Sequence, residues 1–142
     1  RQGVYRLRAA KGAGDGTLVL QGSEVANAFV QEALPKLVAE GIDLDVYYVA
    51  SAELFDLLPA AEREQIFPAA KAEEAMGITG FTLPTLYRWV TSARGRAASL
   101  SPFMKGHYLG SGQADMVMLQ AGLDGASQVA AIRAFVRAHV AH

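Results

Sequence analysis

The stretch Thr17-Leu18-Val19-Leu20-Gln21-Gly22-Ser23-Glu24-Val25 decides the fold class. Leu18, Val19 and Leu20 are apolar without alternation, as in a strand covered on both faces of a sheet. Gly22-Ser23 then breaks the run and opens a helix, with Ser23 as N-cap and Glu24 against the positive helix end. Val25, Phe29, Ala33 and Leu37 recur at helical spacing, and Val30, Leu34 and Val38 widen the stripe. Pro35 falls inside this pattern and predicts a kink or a split, and Gly41 is a C-terminal stop. The next apolar run, Leu44–Val49, reads as a second buried strand.

Working outward, Val4–Ala9 alternates apolar and polar residues, the pattern of a half-buried strand. The turn-rich Lys11–Gly16 separates it from Thr17. Downstream, Ser51 is placed to cap a short helix through Leu58, and Pro59 and Pro68 bracket another, Ala60–Phe67. Ala70–Met76 is read as a strand, Gly77 and Gly80 as a loop, and Pro84 as the first turn of a helix to about Ala93. Arg96–Leu100 is read as the last strand. The loop Ser101–Ser111 leads to a helix, Gly112–Ala121, and Asp124 caps a final amphipathic helix carrying Val129, Ile132, Phe135 and Val136. Strands and helices alternate, so the expected architecture is a three-layer α/β fold with a mostly parallel sheet, all of residues 1–142 forming one domain.

Composition bounds the function. No apolar run reaches the ~18 residues of a membrane span, and the formal net charge of −1 argues against a dedicated nucleic-acid binder. With no cysteine there are no disulfides, thiolate nucleophiles or Cys-type metal sites. The charge is unevenly placed: residues 12–74 carry twelve acids against Lys36, Arg63 and Lys71, whereas no acid lies between Glu74 and Asp115. The chain opens on Arg1-Gln2-Gly3 without Met or an apolar signal segment, which reads as a piece of a longer polypeptide.

The motifs of common catalytic sites are missing. His107, His139 and His142 have no H-x-x-x-H spacing, and no G-x-S-x-G, P-loop or dinucleotide fingerprint occurs. Ser23, Ser51, Ser101 and Ser111 stand where helices start or loops turn, where capping accounts for them. Two helix starts, Gly22-Ser23 and Gly110-Ser111-Gly112, offer backbone N–H groups to an anion. Arg94, Arg96, Lys105 and His107 stand in the acid-free window with Tyr87, Trp89, Phe103 and Tyr108. Arginine interleaved with aromatics is the composition of an interface or an anion-binding face. The candidate residues are therefore Gly22, Ser23, Arg94, Arg96, Lys105, His107, Ser111 and Gly112, for an anion or an interface, with none for catalysis, cofactor or metal.

Leu18–Val25, followed by an Ala-rich helix and Glu40-Gly41-Ile42-Asp43-Leu44-Asp45-Val46, resembles the start of the C-terminal domain of transketolase. Val49–Asp56, Tyr108-Leu109-Gly110-Ser111-Gly112-Gln113-Ala114-Asp115 and Gln120-Ala121-Gly122-Leu123 resemble later family segments in the same order. Gly3–Leu7 and Asp45–Val49 are also similar to the related domain of the homodimeric pyruvate dehydrogenase component. Gln21 departs from the usual Thr, and Met104-Lys105-Gly106-His107 replaces an acidic-basic pair. The resemblance implies a five-stranded mixed sheet with its first strand antiparallel. It further implies a homodimeric cytoplasmic parent of three α/β domains that uses thiamine diphosphate and Mg for two-carbon ketol transfer between sugar phosphates. The C-terminal domain would then be structural, at an interface, supplying no ligand to the cofactor and inactive alone. The alternatives are the corresponding domain of a pyruvate dehydrogenase-type enzyme that decarboxylates 2-oxo acids, and a free-standing α/β module holding an anionic ligand at a helix N-terminus.

Overall fold

Four strands form one mixed sheet in the order β1-β3-β2-β4: β1 (Val4–Arg8), β2 (Thr17–Gln21), β3 (Asp45–Val49) and β4 (Ala75–Thr79). The computed structural model describes residues 2–102 and 122–140. β2, β3 and β4 are parallel, while β1 runs antiparallel on the outer edge of β3, with Val4 opposite Val49 and Tyr5 opposite Tyr48.

The chain steps one way from β2 to β3 and the opposite way from β3 to β4. Right-handed crossovers therefore place the two helical connections on opposite faces of the sheet. On one face, α1 (Ser23–Ala28), a π-helical turn (Phe29–Ala33) and α2 (Leu34–Ala39) join α7 (Gly125–Val140). They bury Leu18, Leu20, Val46, Met76 and Ile78 with Phe29, Leu37, Ile132 and Phe135. On the other face, α3 (Ala52–Asp56), α4 (Ala60–Ile66), α5 (Ala69–Glu73) and a 3₁₀ turn (Leu83–Leu86) form the second layer. There Val4, Val19, Tyr47 and Val49 pack with Phe55, Phe67, Leu86, Trp89 and Val90. All five residues of β2 are buried, as its unbroken apolar run requires.

Local chemistry explains where the sequence reading holds and where it fails. Pro35 sits in the first turn of α2, and the helix accommodates it through the π-helical turn just before, so the expected split is present. Ser51 caps α3, its hydroxyl accepting the Leu54 N–H at 3.1 Å. Ser23 is not an N-cap: it is the first helical residue, and Gly22 occupies the cap with φ 102° and no side-chain bond. The Asp124 carboxylate accepts from the Ser127 hydroxyl at 2.6 Å.

Three other elements differ. Ala70–Met76 is not one strand: Pro68 and the alanines after it form α5, and β4 begins only at Ala75. The helix expected from Pro84 to Ala93 closes as the 3₁₀ turn, and a new helix, α6 (Ala93–Ala98), starts after Ser92. Arg96–Leu100 is therefore no strand. Ser92 accepts the Gly95 N–H at 2.9 Å, and the helix-forming A-R-G-R-A-A continues from that cap. A single parallel bridge, Ile78 to Leu100, stands beside β4, so the described residues hold four strands rather than five. α6 comes so close to β4 that a Cβ on Gly95 would lie 1.9 Å from the Ala75 carbonyl oxygen. The helix read at Gly112–Ala121 lies outside the described residues.

Candidate functional site

The two ends of the parallel strands have different chemistry. At the N-terminal rim stand Asp45, which opens β3, and Asp43 just before it. The Asp45 side chain is only 6% exposed. It accepts hydrogen bonds from Arg6, from Lys71 Nζ at 2.8 Å and from the Ala10 N–H at 2.9 Å. Burial pushes its carboxyl pKa up, but the bonds from Lys71, Ala10 and Arg6 outweigh burial and hold it below the usual value. Lys71 Nζ also reaches Glu74 at 3.1 Å, and Glu74 accepts from the Thr17 hydroxyl at 3.0 Å. The bond to Asp45 keeps the Lys71 pKa raised.

Asp43 gathers the turn between β1 and β2. It accepts the Gly12 N–H at 2.9 Å, Arg8 Nη1 at 2.7 Å and the Lys11 N–H at 2.9 Å. Those bonds, the Gly12 N–H first, lower its pKa from 3.8 to about 2. Asp15 closes the loop from the other side, its carboxylate taking the Asp43 N–H at 2.7 Å. Asp43 and Asp45 are thereby held in the charged form as partners within the fold. A carboxylate so held is a weak base, poorly suited to proton abstraction.

The C-terminal rim holds an uncharged network beside an ion pair, Arg88 with Asp56. Gln21, the last residue of β2, accepts the hydroxyls of Thr79 and Thr85, each at 3.0 Å, and donates to the Thr85 carbonyl at 3.1 Å. Beside this network lies a notch of about 210 Å³ walled by Val49, Ala50, Ala52, Phe81 and Trp89. Trp89 is fixed by edge contacts to Phe55 at 5.3 Å and Phe67 at 5.6 Å. Arg88 covers the Trp89 ring at 4.4 Å and pairs with Asp56 at 2.5 Å, so its charge is answered within the chain. Gly22 faces Gly80 across the ends of β2 and β4, where a Cβ on Gly22 would stand 3.6 Å from the Gly80 nitrogen.

Of the sequence-predicted residues, Gly22, Ser23, Arg94 and Arg96 are among the described residues, and the two pairs stand on separate elements. Gly22 and Ser23 lie at the end of β2. Arg94 donates to the Phe135 carbonyl at 3.0 Å and lies over that ring at 4.1 Å, tying α6 to α7. Arg96 donates to the carbonyls of Val90 at 2.7 Å and Tyr87 at 3.0 Å and stacks on the Tyr87 ring at 4.1 Å. Lys105, His107, Ser111 and Gly112 lie outside the described residues. The reading of the sequence missed Asp43, Asp45 and Gln21. A signal for Asp45 was present, because an acid inside the apolar L-D-V-Y-Y-V demands a buried partner.

Comparison with known proteins decides the family. The model of the transketolase-like C-terminal domain matches residues 3–122. The chain belongs to the transketolase C-terminal domain family. A transketolase of Streptococcus pyogenes is 37% identical over an alignment covering 66% of this chain and 14% of that protein. The chain thus spans about a seventh of the length of the curated relative. Among solved structures, transketolase from Leishmania mexicana matches with a TM-score of 0.66 at 18% identity, covering 97% of this chain and 18% of that one. The Campylobacter jejuni transketolase gives 0.65 at 21% identity, covering 94% and 18%. At these identities the structures speak for the fold, and this chain has the mixed sheet with one antiparallel strand that the transketolase resemblance implied.

Proposed function

We propose that this chain is the C-terminal domain of a homodimeric, cytoplasmic transketolase-like enzyme that uses thiamine diphosphate and Mg to move two-carbon ketol units between sugar phosphates. Within it the domain is a structural and docking element. The family match across residues 3–122 carries this reading. The curated relative and the structural neighbours are transketolases, which favours that branch over a pyruvate dehydrogenase-type parent.

The donor set of the described residues does not fit Mg-diphosphate. No three His, Asp or Glu side chains among them are grouped to hold a metal. The oxygens of Asp43 and Asp45 face Arg6, Arg8, Lys71 and the N–H groups of Ala10, Lys11 and Gly12. A cation placed there would have to displace its own kind from each carboxylate. On this reading the charged groups of the N-terminal rim serve to hold the fold in shape.

The test is calorimetric titration of thiamine diphosphate and Mg into this chain and into the complete enzyme. Binding by the complete enzyme and no heat of binding with the chain alone is the expected pair of results. A micromolar site on the chain alone would refute the reading.

A further inference from the structure

The C-terminal rim of the sheet is also where the polypeptide enters the domain. β1 is antiparallel to β3, so its first residue, Val4, lies opposite Val49 at the far end of that strand. The Gly3 carbonyl accepts the N–H groups of Ala50 at 2.8 Å and Ser51 at 2.9 Å. The fit leaves no room for a side chain: a Cβ on Gly3 would lie 2.1 Å from the Ser51 oxygen and 3.2 Å from Leu54 Cβ. Whatever precedes Gly3 must therefore leave past the turn from β3 to α3. Val49, Ala50 and Ala52 of that turn line the notch.

Val49, Ala50, Ala52, Phe81 and Trp89 give the notch an apolar side, and Gln21, Thr85 and Arg88 line the rest of it. Phe81, on its wall, is 56% exposed, and Leu54, beside Gly3, is 42% exposed. An exposed phenylalanine and leucine beside a preformed concavity floored by Trp89 have the composition of an interface anchor site. The polar groups of the notch are already engaged: Gln21 is bonded to Thr79 and Thr85, and Arg88 to Asp56. What the opening still has to offer is apolar area.

We infer that this rim docks the polypeptide preceding the domain in the parent enzyme, which seats one leucine- or phenylalanine-sized side chain in the notch and covers Phe81 and Leu54. The inference rests on the reading of the chain as a C-terminal domain. In a protein like the curated relative, of which this chain covers 14%, most of the polypeptide would lie on the β1 side. The entry point and the apolar notch share one end of the sheet, so the occupant has the shortest path to its site.

A photo-reactive phenylalanine analogue placed at Phe81 in the complete enzyme tests the docking. A second enzyme carries it at Val38, which is 50% exposed on α2 over the opposite sheet face. Cross-links are mapped by peptide mass spectrometry. The Phe81 probe should join peptides N-terminal to this domain, and the Val38 probe should join none of them. A Phe81 probe that stays unlinked, or links the same rim of a second copy, overturns the docking. The complete gene separates this from the functional reading. If it encodes an upstream cofactor-binding domain, an unlinked Phe81 defeats the docking alone; if it encodes no preceding domain, both fall.

Discussion

The two rims of the sheet invest their polar groups differently. At the N-terminal rim, Arg6, Arg8, Lys71, Asp43, Asp45 and Glu74 close on one another and on the loop between β1 and β2. At the C-terminal rim one amide and two hydroxyls satisfy each other and leave an apolar notch beside them. The first arrangement binds the chain to itself. The second keeps the backbone ends of the strands in order, with the charge of Arg88 beside the notch and paired to Asp56. The dense charge cluster marks the part of the domain that is finished, and the sparsely charged rim marks the part that is open.

The comparison breaks most visibly at Asp45. Asp45→Ala removes a carboxylate that is 6% exposed and strands Arg6, Lys71 and the Ala10 N–H. Urea unfolding should show a loss of about 2–3 kcal/mol, because the cations are partly solvated and recover some hydration. Asp45→Asn should lose less, since its amide oxygen still accepts from Ala10. At the opposite rim, Gln21→Ala leaves the Thr79 hydroxyl without its acceptor and opens the wall of the notch. The expected cost is about 1–2 kcal/mol in the same assay.

Acid distinguishes the Asp43 cluster from the Gln21 network without any substitution. The Asp43 carboxyl titrates at about 2 in the folded chain against 3.8 ordinarily. A depressed folded pKa means the stabilisation is complete above 3.8 and is lost as pH falls through about 2. Stability measured from pH 5 downward should therefore fall across that window, and Asp43→Asn should flatten the fall. The Gln21–Thr79–Thr85 network holds no titratable side chain. Gln21→Ala should leave the acid slope as it is. The smallest effect belongs to the exposed Arg88–Asp56 pair, where both side chains are nearly half exposed. Asp56→Ala should move the urea midpoint least of these variants, and less still in high salt.

Much of the fold was legible in the sequence because its signals are local. The unbroken Leu18-Val19-Leu20, the Gly22 break and the 3.6-residue stripe from Val25 to Leu37 each act within one element. Ala70–Met76 and Arg96–Leu100 were misread because short segments rich in Ala and Arg carry no decisive period. Pro68 and the Ser92 cap settle both in favour of helix. The arginines of the acid-free window read as an interface or anion-binding face. In the fold Arg94 and Arg96 spend their donors on carbonyls of their own chain and their planes on Phe135 and Tyr87. No sequence spacing announces that use, since the partners of Arg94 stand 41 residues away. The notch was out of reach for the same reason: Gln21, Ala50, Phe81 and Trp89 come from four separate segments.

A structural and docking role for this domain predicts that the charges paired at its N-terminal rim stand apart from the chemistry. The most direct test is Asp45→Ala in the complete enzyme, assayed for kcat and for the thermal midpoint. At a temperature well below that midpoint, kcat and cofactor affinity should match the wild type while the midpoint falls. A collapse of kcat with an unchanged midpoint would place this carboxylate in the reaction and contradict the account.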